Sequence, residues 1–183
     1  MQITLKTPRL ILRCFTDNDL EPFLAYRSDP EVARYQGWIE PYTREMAKEF
    51  IREMKDRQPG EPGKWFQWAI ELRASGQMIG DCAFYLLERD TRQAEIGVTL
   101  SRTHQGQGYA REAILRLLEY LFGELELHRV CANCDPENAP AWQILERMGF
   151  RREAHFIESL WFKGYYASEY WYAMLRREWL ETR

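Results

Sequence analysis

Apolar residues recur along the chain in two rhythms, and each change of rhythm marks a new element. From Leu5 to Phe15, "LKTPRLILRCF" alternates apolar with polar, the period of a half-buried strand. "TDNDLEPFLAYRSD" then sets Leu20, Phe23, Leu24 and Arg27 at helical spacing, with Asp17 or Asn18 available as the cap. The aromatic-rich connection "DPEVARYQGWIEPYT" leads to Thr43, which caps a second helix with an apolar stripe of Met46, Ala47, Phe50, Ile51 and Met54. After the proline- and glycine-rich loop "QPGEPG" the period of two returns in "KWFQWAIEL", "QMIGDCAFYLLE" and "QAEIGVTLS". Their short connections predict an antiparallel meander.

The cleanest helical period follows, with Ala110, Ala113, Ile114, Leu117, Leu118, Leu121 and Phe122 on one face directly after "HQGQGY". "HRVCANCD" reads as a strand. "ENAPAWQILERMGF" reads as a helix with Asn138 near its N-cap and Gly149 as its left-handed stop. "RREAHFIESLWF" and "EYWYAMLRREW" close the chain as strands around a loop "KGYYAS". This order predicts an α+β fold: a mixed, mostly antiparallel sheet with one strand–helix–strand unit in the middle, in a single domain over residues 1–183.

Composition narrows the classes. The chain of 183 residues is 45% apolar and 29% charged, as ordinary globular proteins are. No apolar run approaches a membrane span, and the charged N-terminus lacks the apolar core of a signal peptide, so a cytoplasmic location without membrane attachment is expected. A net charge of -3 argues against a nucleic-acid partner. Of the four cysteines, Cys131 and Cys134 have metal-like spacing, but on a strand residues three apart face opposite sides. No metal site is expected, and the cysteines read as small buried or half-buried side chains.

Chemistry concentrates in "QGQGYA", residues 105–110. A helix N-terminus presents unpaired N–H groups and a partial positive charge. Glycines in the preceding turn clear the way for an anion to reach them. A P-loop is excluded because Tyr109-Ala110 stands where a lysine and a hydroxyl are required, and a dinucleotide fingerprint lacks its third glycine. A plain glycine turn between strand and helix remains the alternative from these residues alone.

Gln105, Gly108 and Ala110 fit the pattern Q/R-x-x-G-x-G/A of Gcn5-related N-acetyltransferases. "ENAPAWQILERMGF" resembles that family's second hallmark, N-x-x-(S)-x-x-x-x-E-K-x-G-F, at matching separation. "TPRLILRCFTDNDLEPFLAYRSDPEVARY" and "YWYAMLRREW" resemble its RimJ/RimL-type branch, so the likeness spans the chain.

The resemblance implies the GNAT fold, with about seven strands flanked by about four helices and a cofactor bound where two strands splay. It implies acetyl-CoA, its pyrophosphate on the backbone amides of Gln105, Gly106, Gln107, Gly108, Tyr109 and Ala110. Arg111 lies beside it, either near the anion or as a solvated surface cation. The pantetheine arm would pair with "EIGVTL", chiefly through Thr99, Leu100 and Ser101, as an added strand does. A main-chain N–H of Thr99 or Leu100 would polarise the acetyl carbonyl. Asn138 matches the family residue that touches the pantetheine.

By position Glu95 matches the family's general base, in a segment one residue shorter than usual; an exposed strand-edge glutamate is the alternative. The serine and tyrosine that elsewhere protonate the leaving thiolate are replaced by Ala141 and Leu145, leaving Tyr165 and Tyr166 as candidates by chemistry alone. The acceptor side is expected from Arg34, Tyr35, Trp38, Tyr165, Tyr166 and Glu169. An α-amine with a pKa near 8 is about one-tenth neutral at pH 7, a lysine amine under about one part in a thousand. A single weak base therefore favours a protein N-terminus as acceptor over a lysine, with small amines as the other acceptor class. A non-catalytic acyl-CoA sensor is the competing function, and assembly stays open between monomer and homodimer.

Overall fold

The chain starts with a hairpin and not with one strand. In the computed structural model, which describes residues 3–181, β1 (Leu5–Lys6) and β2 (Leu10–Arg13) flank a turn over Thr7, Pro8 and Arg9. Thr7 makes the break: its N–H donates to the Leu10 carbonyl at 3.0 Å and its hydroxyl accepts from Leu10 N–H at 2.8 Å. Pro8 supplies the fixed φ that such a turn wants. Residues 1–2 and 182–183, the ends of the expected domain, lie outside the described residues.

Helix α1 (Leu20–Arg27) is entered through a 3-10 turn at Asp17–Asp19. Neither Asp17 nor Asn18 caps it. Asp19 stands at its N-cap, and Thr16 caps the 3-10 turn instead, its N–H donating to the Asp19 carboxylate at 2.7 Å. A short α2 (Pro30–Ala33) follows on the Asp29 cap. Helix α3 (Arg44–Asp56) starts as read, with the Thr43 hydroxyl accepting from Met46 N–H at 3.2 Å.

The meander is β3 (Trp65–Leu72), β4 (Met78–Leu86) and β5 (Gln93–Leu100). Helix α4 (Tyr109–Leu118) continues as a wider π-turn through Glu119–Glu124 before β6 (Arg129–Cys134). Helix α5 (Ala139–Arg147) ends where Gly149 takes φ +89°, the left-handed stop. Strands β7 (Arg151–Phe162) and β8 (Tyr165–Leu175) form a long hairpin whose turn is only Lys163-Gly164, so Tyr165 and Tyr166 stand in a strand and not in a loop. The last stretch, read as strand through Trp179, turns instead into α6 (Arg176–Glu181); Glu178 accepts from Leu175 N–H at 2.8 Å at that point.

The eight strands run in the order β1-β2-β3-β4-β5-β6-β8-β7, and only β5 and β6 are parallel. Against the expected seven strands and four helices, the described residues hold eight and six, the additions being the split first strand and the short α2 and α6. Two cores cover the sheet. Phe66, Trp68, Phe84, Ile96 and Leu100 pack under α4 on one face. Phe23, Ala47, Ile51, Ala69 and Met78 join α1 and α3 to the other. Each fully buried large side chain contributes about 1.5–3 kcal/mol. The alternating strand pattern thus fixes which face of β5 meets α4 and which looks towards α1.

No described helix is long and apolar enough to cross a membrane. All four cysteines are free, Cys82 and Cys131 buried, Cys14 and Cys134 half-buried.

Candidate active site

Strands β5 and β6 pair only at Gln93–Glu95 with Arg129–Cys131, and then part. Beyond that point, among the described residues, no strand lies against the β6-facing edge of β5. Which main-chain groups face the gap follows from the β4–β5 ladder, which runs without a bulge. In an antiparallel ladder, successive residues turn their N–H and C=O to alternate sides. Leu87 N–H meets the Gln93 carbonyl at 3.0 Å, and Ser101 N–H meets the Ile79 carbonyl at 2.8 Å. Residues 93, 95, 97, 99 and 101 therefore direct their main chain to β4, while Ile96, Val98 and Leu100 direct theirs into the gap.

This corrects the expected cofactor strand. Thr99 and Ser101 are engaged with β4, Thr99 opposite Asp81, so neither offers its main chain to a pantetheine arm and Thr99 N–H is not an oxyanion donor. Of the two expected donors Leu100 faces the opening, joined by Val98 and Ile96. The Leu100 carbonyl already accepts from Gln105 Nε2 at 3.0 Å. The Ser101 hydroxyl lies 2.7 Å from His104 Nδ1, bracing the turn.

The glycine loop has the form an anion needs. Gly106 and Gly108 sit at φ +74° and +81°, a region costly for residues with a Cβ. Open space surrounds the missing Cβ of Gly106, and that of Gly108 would come within 3.3 Å of an Arg9 guanidinium nitrogen. Among the described residues, the N–H groups of Gly106, Gln107 and Gly108 donate to no main-chain carbonyl, and those of Tyr109, Ala110 and Arg111 open the helix. Gln105 departs from expectation, because its N–H already donates to Arg102 at 3.2 Å. Arg111 is exposed in the first turn.

Arg9 is a loop residue that the sequence reading missed. It donates to the Gln107 carbonyl at 3.0 Å, pairs with Glu112 at 2.6 Å and lies 4.4 Å over the Tyr109 ring. Glu112 also accepts from the Arg9 N–H at 2.8 Å. The first turn of α4 is thereby tied to the β1–β2 turn.

The gap between β5 and β6 opens into a cavity of about 660 Å³. Asn138, Ala141 and Leu145 of the α5 segment line one side, so the two positions without an acid do face the site. Tyr35, Trp38, Asp81, Glu95 and Glu169 line it on the other face of the sheet. Arg34 stands outside, paired at 3.2 Å with Glu137 on the surface. Tyr165 and Tyr166 also stay out: they are 48% and 61% exposed and pack on Phe162 and Trp161 of the facing strand. They are not placed to protonate a thiolate.

Glu95 is half-buried, and burial pushes its carboxyl above the usual carboxylate range. The Glu169 charge pushes the same way, while Asn133, donating from Nδ2 to Glu95 Oε1 at 3.1 Å, opposes both. Among the described residues, no cation pairs with the group. Asn133 went unnoticed in sequence because it belongs to a different strand, and only the register sets it diagonally across from Glu95.

Beneath this face lies a second unforeseen group. The Asp81 carboxylate accepts from the Tyr26 hydroxyl and lies 3.5 Å from an Arg27 nitrogen. Arg27 and Asp81 are 6% and 3% exposed. The rings of Phe23, Trp38, Tyr42 and Phe50 enclose the guanidinium at 4.2 to 5.4 Å, and the Arg27 carbonyl accepts from Trp38 Nε1 at 3.1 Å. The Trp38 wall of the cavity is held this way.

An unpaired strand edge, open amides at a helix start and a cavity reaching the second face fit acetyl-CoA with an acceptor on the far side. The comparisons agree. Residues 9–151 match the family described as an acetyltransferase (GNAT) domain. The chain is 34% identical over 176 residues to the uncharacterised N-acetyltransferase p20 of Bacillus licheniformis, covering 96% of this chain and 97% of that one. A GNAT-family acetyltransferase structure from Bacillus anthracis superposes with a TM-score of 0.84 at 29% identity, over 96% of this chain and 100% of that one. Mycobacterium smegmatis RimJ, solved with CoA-disulfide, shares the fold at a TM-score of 0.81 and 21% identity, over 97% and 88%. The chain belongs to the GNAT acetyltransferase family, whose members use acetyl-CoA to acylate amines.

Proposed function

We propose that the protein transfers an acetyl group to the free α-amine of a protein N-terminus, with donor and acceptor bound together. The observation that carries this reading is Glu95: a half-buried carboxylate at the mouth of the β5–β6 gap, unpaired with any cation among the described residues and raised by burial and by Glu169. A base raised towards neutrality takes a proton from an ammonium group more easily than an ordinary carboxylate does.

In this reading acetyl-CoA supplies the acetyl group as a thioester. Gly106 to Ala110 would hold its pyrophosphate, Val98 and Leu100 would hold its arm, and Asn138 would touch that arm from α5. Of the N–H groups that face the gap, those of Ile96 and Val98 lie nearest Glu95 along the strand and would polarise the carbonyl that the amine attacks. Glu95 accepts the ammonium proton directly or through one water, and Glu169, Tyr35 and Trp38 orient the acceptor. Ala141 and Leu145 have no proton to give. Burial pushes the nearby Cys134 thiol up to about 12, too weak an acid to serve. Water is left as the proton carrier to the sulfur.

Thiol release from acetyl-CoA tests the reading, with free N-terminal peptides, the same peptides blocked at the α-amine, polyamines and aminoglycosides as acceptors. Release with the free peptides alone supports it. Release only with polyamines or aminoglycosides moves the acceptor to the small-amine class and sinks it.

A further inference from the structure

The far half of the β7–β8 hairpin is a cantilever. Strand β8 pairs with β6 only from Tyr170 to Leu175, and beyond Tyr170 the hairpin continues on its own pairing out to Phe162 and Tyr165. Yet Leu160, Phe162 and Glu169 of this arm line the same cavity as Tyr35 and Trp38 from the segment after α2. The distance between these two walls sets what can pass between them, and no sheet hydrogen bond fixes it.

Lys163 does. Its Nζ donates to the Ala33 carbonyl at 2.8 Å and pairs with the Glu40 carboxylate. Among the described residues these are the hydrogen bonds that tie residues 157–168 to the rest of the chain. The Ala33 carbonyl closes α2, where a cation is favoured by the helix end. The backbone adds an independent sign. Lys163 and Gly164 have φ +46° and +93°, a two-residue turn that favours Asn-Gly or Gly-Gly. Lysine gains nothing from that conformation, and a residue held against its preference points to a role for its side chain.

We propose that Lys163 is a specificity-determining residue: it straps the hairpin tip to α2, fixes the opening between Phe162 and Trp38, and so limits the bulk of the side chain that an acceptor can carry beside its primary amine. The inference rests on the acceptor reading above and narrows it to N-termini with small leading residues.

The test compares wild type, Lys163→Ala and Lys163→Arg on peptides that start with serine or with tryptophan, together with hydrogen exchange of residues 34–40 and 157–166. In Lys163→Ala the KM for the serine peptide should rise about tenfold while the preference for serine over tryptophan collapses towards one. Exchange in both segments should quicken, acetyl-CoA affinity should not change, and Lys163→Arg should keep most of the preference. Unchanged exchange and unchanged preference in Lys163→Ala overturn the strap. A wild type that acetylates no peptide overturns the acceptor reading instead, and the strap then stands or falls on the exchange result alone.

Discussion

Asn133 reaches from β6 to Glu95 on β5 and donates to its Oε1 at 3.1 Å, so a neutral amide and not a cation orients the carboxylate. The consequence is orientation without strong acidification: an arginine there would hold the carboxyl low and blunt it as a base. Replacing Asn133 with alanine should lower kcat about tenfold, near the 1.4 kcal/mol scale of one hydrogen bond to a charged group. Acetyl-CoA affinity should stay put, and the acid limb of the rate profile should move to higher pH because the one group lowering the Glu95 pKa is gone. Calorimetry beside a pH–rate series checks both halves; a lower kcat with an unmoved limb would make Asn133 merely structural.

Glu169 gives the opposite sign. Glu95 works as a base only when ionised, and burial and Glu169 together raise its pKa from 4.5. Activity should therefore be lost as pH falls through a midpoint above that value. Glu169→Gln removes a neighbouring negative charge, so the midpoint should fall towards 4.5 while acceptor KM rises. Profiles of kcat/KM for the two proteins over about pH 4 to 8 decide it. Coincident midpoints would show that Glu169 does not act on Glu95.

Two glycines separate the donor and acceptor sides of the site. Gly108 holds φ +81°, where alanine costs about 1–2 kcal/mol and crowds Arg9. Gly108→Ala should weaken acetyl-CoA binding by about tenfold or more, since the loop must shift to relieve it. Gly97 lines the cavity from β5 with nothing within 4 Å of its missing Cβ. Gly97→Val should fold normally and bind acetyl-CoA near wild-type strength, yet lose most transfer by filling the acceptor side. Melting temperature, acetyl-CoA affinity and peptide KM for each variant show whether the losses divide in this way.

The sequence and the structure part company at identifiable places. The glycine loop, the α4 stripe, the Thr43 cap and the Gly149 stop are local, and each was legible because a few consecutive residues decide it. The choice between Thr99 and Leu100 was not, because one residue of slip along a strand reverses which neighbour its main chain faces. Asn133, Asp81 and Lys163 were invisible for a related reason. Each acts on a residue distant in the chain, and their own segments read as ordinary strand or turn. Tyr165 and Tyr166 were misplaced because a two-residue turn at Lys163-Gly164 carries them into the strand, out of reach of the cavity.

Asp81 and Arg27 support the site from below, and they should do so as a pair. Both are almost fully enclosed, with Asp81 raised by burial and drawn back by Arg27. Removing one member of such a pair strands the other in a dry interior at about 3–5 kcal/mol, whereas removing both leaves a packing loss and a Tyr26 hydroxyl without its acceptor, about 1–3 kcal/mol. Asp81→Ala should therefore destabilise the fold by that amount, and adding Arg27→Met should recover part of it. Urea denaturation of the two single variants and the double variant yields the coupling. A double variant as unstable as the sum of the singles would mean that the two charges do not interact. Trp38 should keep its indole hydrogen bond to the main-chain carbonyl of residue 27 when Arg27 is replaced, but lose the guanidinium packed 4.2 Å from its ring and with it part of its fixed orientation. The double variant should then regain stability without regaining its acceptor KM, because a cavity wall needs a defined position as well as a folded protein beneath it.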